Sequence, residues 1–264
     1  MLEKAGGFLA GDPVRHNLIL TLLQARVAHP EPGRYWTVTV DDDPVGVILQ
    51  SPLDFVATCT PMPAAAVVAG VDAIANIGVR LPGVSGEAAT AARFAGHWTE
   101  RTRSAAWPVV GQRIYEVDQV VPPRDCGGEL RQATIEDRDL VVAWFRAFGA
   151  EIGENASASD EHALRRLEAG QLWIWQDGEP VAMAAVSATV EGVARVGPVY
   201  TEPQRRNRGY ASALVASVSA AVRASGAGCI LYTDLGNPTS NSIYRALGYQ
   251  AVSEVLRYRF DQPS

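Results

Sequence analysis

The residues of this chain best suited to chemistry are arginines clustered around a glycine in the segment PQRRNRGYASALV, which begins at Pro203. Arg206, Arg208 and Gly209 lie where a predicted strand passes into a predicted helix. Backbone N–H groups in the first turn of a helix lack intrahelical partners, and the helix dipole adds partial positive charge there. An anion is stabilised by both features. The spacing therefore predicts a loop that binds a pyrophosphate group.

Each residue type in this loop suits a phosphate ligand. Glycine at position 209 removes the Cβ that would hold the anion away from the backbone, and Ala211 keeps the next side chain small. The guanidinium groups of Arg206 and Arg208 carry forked donors that match phosphate oxygens. The alternative is a solvated basic helix start, but arginine opposes the dipole there, so stability alone does not favour it. A Walker loop is excluded because no Gly-Lys-Ser/Thr follows, and GxGxxG is absent.

A strand must precede this loop and a helix must follow it. Between residues 211 and 222 the apolar side chains recur at spacings of three and four, which predicts one helical face packed on a sheet. The run VARVGPVYT before the loop predicts a strand. Together with its other apolar runs and turns, the second half of the chain has the predicted order βααβββαβαβ, a mixed α/β layer structure.

The first half contains similar predicted elements without the arginine loop. Strands are predicted in YWTVTV, VGVILQS and DFVATCT, and helices in PAAAVVAGVDAIAN and GEAATAARFAGHWTERTR. In both halves, two strands joined by an acidic turn lead to a third strand, a Thr, a Pro and a small-residue helix. This similarity indicates either a worn duplication or two unrelated hairpins. The run PPRDCGGE predicts a boundary, which gives domains at residues 1–124 and 125–264.

The composition narrows the class of protein. The chain has 264 residues, 47% of them hydrophobic, and a formal net charge of −6, which is typical of a globular protein and argues against a nucleic-acid partner. Its three cysteines are far apart and its four histidines lack ligand spacing, so we expect neither a disulfide framework nor a metal site. No signal-peptide core or membrane-length apolar run is found, so we expect a cytoplasmic protein without a membrane partner.

The arginine loop and a second segment together resemble the GNAT acyl-CoA-dependent N-acetyltransferases. The Arg/Gln-x-x-Gly-x-Gly/Ala loop of that family is matched from Arg206 to Ala211. The second signature is an Asn, a Tyr seven positions later and then a Gly-aromatic pair, which is matched at Asn237, Tyr244 and Gly248-Tyr249. The resemblance covers about residues 129 to 264.

The resemblance implies a GNAT-like mixed sheet flanked by helices, present as two tandem copies of which the N-terminal one is degenerate. It also implies acetyl-CoA as co-substrate, an amine as acceptor and no metal. The strand VGPVYT would diverge from its neighbour and offer its backbone to the pantetheine arm, and Pro198 suits this because it cannot donate to a continuous ladder. The residues implied to bind the cofactor are Val199, Tyr200, Thr201, Arg206, Asn207, Arg208, Gly209, Tyr210, Ala211, Asn237 and Asn241.

The implied reaction is direct attack of a primary amine on the thioester in a ternary complex. Tyr244 would protonate the thiolate leaving group, although a helix aromatic packed on the sheet is the structural alternative. The strand that carries the general base in many relatives has no acid here. Asp234 is our candidate for the base, Glu191 and Glu202 flank the strand, and Tyr200 or ordered water are alternatives.

Several questions stay open at the level of sequence. The acceptor amine belongs to a small molecule, an amino acid or a peptide, and a homodimer is neither required nor excluded. An acyl-CoA-binding pseudoenzyme that acts as a sensor or scaffold is the alternative to an enzyme, because the strand acid is missing. The first half has Pro61 and Pro63 where the second half has its arginine loop, so we expect no pyrophosphate site there.

Overall fold

The computed structural model describes residues 2–152 and 156–261. Its contacts divide the chain into two compact units that interleave along the sequence. The domain boundary predicted between residues 124 and 125 stays a prediction, because the units are defined by contacts and not by ancestry. Unit 1 comprises residues 1–114, 233–237 and 251–264, and unit 2 comprises residues 115–232 and 238–250.

Unit 1 is a sheet with helices packed on it. Its elements in chain order are α1 (Leu2–Ala10), α2 (Asn17–Ala28), β1 (Arg34–Val40), β2 (Asp43–Gln50), β3 (Ala57–Cys59), α3 (Ala64–Asn76), β4 (Gly83–Glu87), α4 (Ala88–Thr102), β5 (Ala106–Val117, of which residues up to Ile114 belong here) and β11 (Gln250–Phe260). The strand order is β1-β2-β3-β4-β11-β5. The last strand of the chain thus pairs antiparallel with β4, which comes from the first half of the sequence. Buried apolar side chains of α3, α4 and the sheet form the core of this unit.

Unit 2 consists of sheet strands with helices packed on both faces. Its elements are the end of β5, β6 (Glu129–Gln132), α5 (Arg138–Ile152), α6 (Ala156–Glu168), β7 (Leu172–Asp177), β8 (Glu179–Val186), β9 (Val193–Thr201), α7 (Tyr210–Ala224), β10 (Gly228–Asp234, without its last two residues) and α8 (Pro238–Ala246). The strand order is β5-β10-β9-β8-β7-β6. The chain order of elements in the second half equals the predicted βααβββαβαβ, and the predicted mixed α/β fold class is confirmed.

The two faces of the unit 2 sheet have separate cores because successive strand residues point to opposite faces. One core contains Val196 and Leu231 together with the apolar face of α7. The other contains Met183 and Tyr200 together with helices α5 and α6. We call these the α7 face and the α5/α6 face. Of the predicted apolar face of α7, Leu214, Val215, Val218 and Val222 pack on the core of the α7 face, whereas Ala221 is exposed.

The start of α5 shows how local sequence sets an element boundary in unit 2. Asp137 accepts a hydrogen bond from the backbone of Thr134 at 2.8 Å and closes a capping box. Arg131 donates two bonds of 2.7 Å to the same carboxylate. The hydrogen bonds from Arg131 have the largest effect and lower the pKa of Asp137. Burial opposes this shift, and the bond from Thr134 adds to it. Strand β6 and the helix start are therefore joined by one charged network.

Candidate functional site

The arginine loop of unit 2 has the backbone of an open helix entrance. Strand β9 is followed by a 3-10 turn at Pro203–Arg205, and the chain is then extended at Arg206. Asn207 has φ 62° and Gly209 has φ 90°, so both lie in the left-handed region that favours glycine and asparagine. Helix α7 begins at Tyr210 with no side chain capping it. The sequence therefore leaves the first turn of a 15-residue helix without an internal partner.

The backbone amides at this entrance are accessible. Residues 206 to 209 are exposed. The amide of Arg206 donates to the carbonyl of Pro203 at 3.3 Å, so it is already used. Within the described part of the chain, the amides of Asn207, Arg208 and Gly209 donate to no protein acceptor. An anion at this point would meet unpaired donors from Asn207 onward.

The three arginines of the loop differ in what they contact. Arg206 donates through Nε to the carbonyl of Thr201 at 3.0 Å and pairs with Glu151 at 2.5 Å, so it fastens the loop to β9 and α5. Arg205 pairs with Glu179. Arg208 is exposed and forms no ion pair among the residues that the structure describes. Of the two arginines expected to bind phosphate, Arg208 is therefore the one whose charge is not already neutralised.

The segment between the two predicted domains lies against this loop, which sequence reasoning did not anticipate. A Cβ on Gly209 would stand 3.2 Å from the Cβ of Cys126. The indole of Trp175 donates to the carbonyl of Gly127 at 2.9 Å and holds the segment in place. The hydroxyl of Tyr210 donates to Asp177 at 2.5 Å, which fixes the start of α7 to the end of β7. Glycine at 209 is thus required by φ and by this close approach.

Strand β9 leaves its neighbour β10 halfway along its length. The parallel pairing runs from Val193 to Val196 on β9 and stops there. On the other side, β9 stays paired with β8 through Thr201, but the register shifts by one residue between Val196 and Val199. Such a shift marks a β-bulge, and Pro198 in it has no N–H for a ladder. The backbone edge of residues 197–201 that faces away from β8 is therefore not used by β10.

A buried hydroxyl on the same stretch has no partner. Thr201 Oγ1 is inaccessible to solvent and makes no hydrogen bond among the described residues. Buried hydroxyls are nearly always satisfied, so this one indicates a group that is absent from the protein itself. A diphosphate with an amide-containing arm fits the residues present: unpaired amides at the helix entrance, an unneutralised arginine, a free strand edge and an orphan hydroxyl. Coenzyme A has this chemistry.

Tyr244 lies on α8 and packs against the α7 face. Its ring stands 6.4 Å from that of Tyr115 and 6.0 Å from that of Tyr249. Burial raises its pKa to about 12, and a hydrogen bond with Ser240 opposes this shift. The phenol is protonated at neutral pH, as an ordinary tyrosine is, and the raised pKa makes it a weaker acid than an exposed tyrosine.

The remaining predicted residues divide between the units. Asn241 is buried and accepts a hydrogen bond of 3.0 Å from the hydroxyl of Tyr115, which gives it a structural partner in unit 2. Asp234 and Asn237 belong to unit 1. Asp234 is exposed and accepts 2.7 Å from the amide of Gly236, so its carboxylate also shapes the turn after β10. Val199 to Ala211 are all part of unit 2.

The described residues contain neither a metal centre nor a membrane-spanning helix. No group of three or more His, Cys, Asp or Glu side chains is placed to hold a metal ion there. Within the same residues, no helix has both the length and the apolarity needed to cross a membrane.

Comparison with known proteins agrees with this geometry. Residues 173–258, about a third of the chain, match the family model described as FR47-like protein. No match was found among curated proteins. The matched segment runs from β7 to β11 and contains the arginine loop, the diverging strand and Tyr244.

Solved structures resemble the chain over nearly its whole length. A GNAT-family acetyltransferase from Colwellia psychrerythraea has a TM-score of 0.60 at 13% identity, with 91% of this chain and 96% of that chain covered. A GCN5-related N-acetyltransferase from Kribbella flavida has a TM-score of 0.59 at 17% identity, with 95% and 96% covered. A Drosophila protein has a TM-score of 0.66 at 14% identity, with 99% and 96% covered. At these identities the likeness establishes a shared fold. The chain therefore shares the fold of these GNAT acetyltransferase structures, and its segment 173–258 is similar to the FR47-like family.

Proposed function

We propose that the protein is an N-acetyltransferase that moves an acetyl group from acetyl-CoA to a primary amine of a small molecule, amino acid or peptide, by direct attack in a ternary complex. The observation that carries the proposal is the pairing, within unit 2, of an uncapped helix entrance with a strand that leaves its neighbour. Neighbours that share the fold and are described as GNAT acetyltransferases support it.

The binding roles follow from the contacts. The amides from Asn207 to Ala211 hold the diphosphate, and Arg208 adds a charge that no carboxylate of the described residues neutralises. Arg206 acts indirectly, because its guanidinium positions the loop through Thr201 and Glu151. The free edge of β9 and the hydroxyl of Thr201 bind the pantetheine arm. Asn237 and Asn241 stay in the proposal as neighbours of the cofactor.

The proton-transfer roles are those that the sequence predicts. When bound, acetyl-CoA supplies an acetyl group activated as a thioester. Tyr244, which is protonated at neutral pH, donates the proton that the departing sulfur needs. The amine must lose a proton before it can attack, and Asp234 is proposed as its acceptor, with Tyr200 or water as alternatives. Holding the two reactants together supplies much of the remaining acceleration.

Release of CoA with a panel of primary amines tests the function. We expect steady turnover with at least one amine, and strong loss of turnover in Tyr244→Phe. Tight binding of acetyl-CoA without turnover on any amine, and no effect of Tyr244→Phe, would instead identify an acyl-CoA-binding pseudoenzyme.

A further inference from the structure

The acceptor and the cofactor must reach the reaction from opposite faces of the unit 2 sheet. The arginine loop opens helix α7, so a diphosphate bound there lies on the α7 face. Strand β9 stops pairing with β10 after Val196 and stays paired with β8 through Thr201. Only the α5/α6 face is left for the acceptor amine, and this inference rests on the proposed function. The side chains on that face therefore decide which amine fits.

Arg166 of α6 is an unneutralised cation on that side. Its Nη1 is inaccessible to solvent and has no hydrogen-bond partner among the described residues. Its Nε donates to Nε2 of His162 at 2.6 Å, which requires a neutral imidazole. Other arginines of these helices have carboxylates: Arg146 pairs with Asp160, and Arg165 pairs with Glu161 at 3.4 Å. No described carboxylate pairs with Arg166.

The ionisation of both groups agrees with this geometry. Desolvation, and then the charge of Arg166, lower the pKa of His162 to about 4, although the residue as a whole is exposed. Burial, and then the charge of Arg195, lower the pKa of Arg166 to about 10. At neutral pH the imidazole is therefore uncharged and the guanidinium is charged. A second cation, Arg195, is close enough to repel it.

Arg195 projects from β9 onto the same face. Ser187 donates its amide to the carbonyl of Arg195 at 2.9 Å, so the two residues lie side by side on neighbouring strands. Ser187 shares its face with Met183 by the two-residue alternation of strand β8, and Met183 belongs to the α5/α6 core. The guanidinium of Arg195 stands 5.2 Å from the ring of Tyr232 on β10.

A buried cation without a counter-ion is costly, and so is bringing a second cation close to it. A ligand carboxylate would relieve both, since a guanidinium binds carboxylate through two parallel bonds. We propose that the acceptor is an α-amino acid or a similar carboxylate-bearing amine, whose carboxylate is bound by Arg166 and Arg195 on the α5/α6 face and whose amine lies beside the stretch of β9 after Val196 that β10 does not pair with.

The reach of these side chains agrees with a short acceptor. Arg195 precedes Gly197, where the strands part, by two residues, or roughly 7 Å of strand. In an α-amino acid a single carbon separates the amine from the carboxylate. A carboxylate held near Arg195 thus leaves the amine close to the point where β9 diverges.

Calorimetric titration of the whole chain with α-amino acids and their carboxamides tests the proposal. The titrations are run with and without saturating CoA. We expect at least one amino acid to bind about tenfold or more tightly than its carboxamide, as one charge-assisted contact predicts. Arg166→Gln should remove that difference, whereas Arg165→Gln on the same helix should keep it. Equal binding of every acid and amide, or an undiminished difference in Arg166→Gln, would overturn the proposal.

A second variant guards against misfolding. If Arg166→Gln does not unfold cooperatively, Arg166→Lys keeps the charge but loses the fork, and it should reduce the acid preference. An unchanged preference there also overturns the proposal. Measuring the binding of acetyl-CoA in the same experiments separates the claim of an acetyltransferase from the claim of a carboxylate site. Absence of that binding refutes the acetyltransferase, while the comparison of acid and amide without CoA still decides the carboxylate site.

Discussion

At the scale of single residues, three side chains carry most of the account: Arg208, Tyr244 and Thr201. The sequence predicts all three at the candidate site, through the motif and the residues around it. It did not distinguish Arg206 from Arg208, because the partner Glu151 lies 55 positions away in sequence. Nor did it single out Arg166. This residue stands out because no carboxylate of the described residues pairs with it, and that can be seen only in three dimensions.

Replacing Arg208 should weaken the binding of CoA. Arg208→Gln removes a charge that no described carboxylate neutralises, and we expect about a tenfold loss of affinity at low salt. Because the site is exposed, the loss should shrink as ionic strength rises. Calorimetry at two salt concentrations measures this. Arg205→Gln is the matched control, since Arg205 is paired with Glu179 and should change affinity little. Equal losses in both variants would argue against a specific role of Arg208.

Replacing Tyr244 should slow the reaction without weakening the binding of CoA. Tyr244→Phe keeps the ring packing and removes the proton donor, so we expect kcat to fall by about a hundredfold. The control is Tyr249→Phe, which removes the hydroxyl bonded to Ser219 at 2.6 Å and should affect stability more than kcat. Steady-state kinetics decides between them. A normal kcat in Tyr244→Phe would assign that ring to packing alone.

Thr201 provides a test in which stability and binding move in opposite directions. Thr201→Val keeps the shape and removes a buried hydroxyl without a partner, so the free energy of unfolding should rise by about 1 kcal/mol. Affinity for CoA should fall if this hydroxyl bonds the pantetheine arm. Denaturant unfolding and calorimetry measure the two quantities. Lower stability of the variant would mean that the hydroxyl already has a partner.

At the scale of elements, the helix entrance depends on a backbone shape that only glycine tolerates well. The order of elements in the second half followed from apolar periodicity and from turn residues. In the first half, β4 was not predicted, because its sequence GVSGE has no β-branched or aromatic run although the strand is almost fully buried. The contact of Cys126 with Gly209 was missed because no local pattern encodes where a linker packs.

The variant Gly209→Ala should lose both stability and CoA binding. The backbone at residue 209 has a φ of 90°, which is strained for alanine. The new Cβ would also lie 3.2 Å from the Cβ of Cys126. We expect a loss of about 1–3 kcal/mol in the free energy of unfolding. The control is Gly226→Ala, where φ is 86° and no atom lies within 4 Å of the new Cβ. It should lose stability for the same backbone reason and keep its affinity for CoA. Loss of affinity in both would point to a general effect of stability.

At the scale of the whole molecule, the two units are not the two halves of the sequence. The final strand β11 lies beside β4 in unit 1, and β5 continues from unit 1 into unit 2. A linear division at a Pro- and Gly-rich stretch does not reveal this, because strand partners far apart in sequence leave no local signal. The GNAT resemblance of the second half thus predicted the candidate site. The pairing of β11 with β4 in unit 1, by contrast, is visible only in the structure.

Phe260 tests the dependence of unit 1 on the end of the chain. Its ring stacks on Trp98 at 5.6 Å and is 5% exposed. Phe260→Ala should cost about 3–5 kcal/mol and lower the hydrogen-exchange protection of β4. The exposed Arg257 on the same strand offers a control, since Arg257→Ala should change protection little. Unchanged protection in Phe260→Ala would show that β11 does not stabilise the first-half strands.

The central claim is that the entrance of α7 binds a diphosphate, and comparing two thioesters tests it most directly. Acetyl-4′-phosphopantetheine carries the phosphate next to the pantetheine arm, whereas acetylpantetheine has the same arm and acetyl group without it, and neither compound carries the nucleoside of CoA. Calorimetry should show the phosphorylated compound binding about tenfold or more tightly, the effect of one or more charge-assisted hydrogen bonds. Equal affinity for the two compounds would contradict the claim.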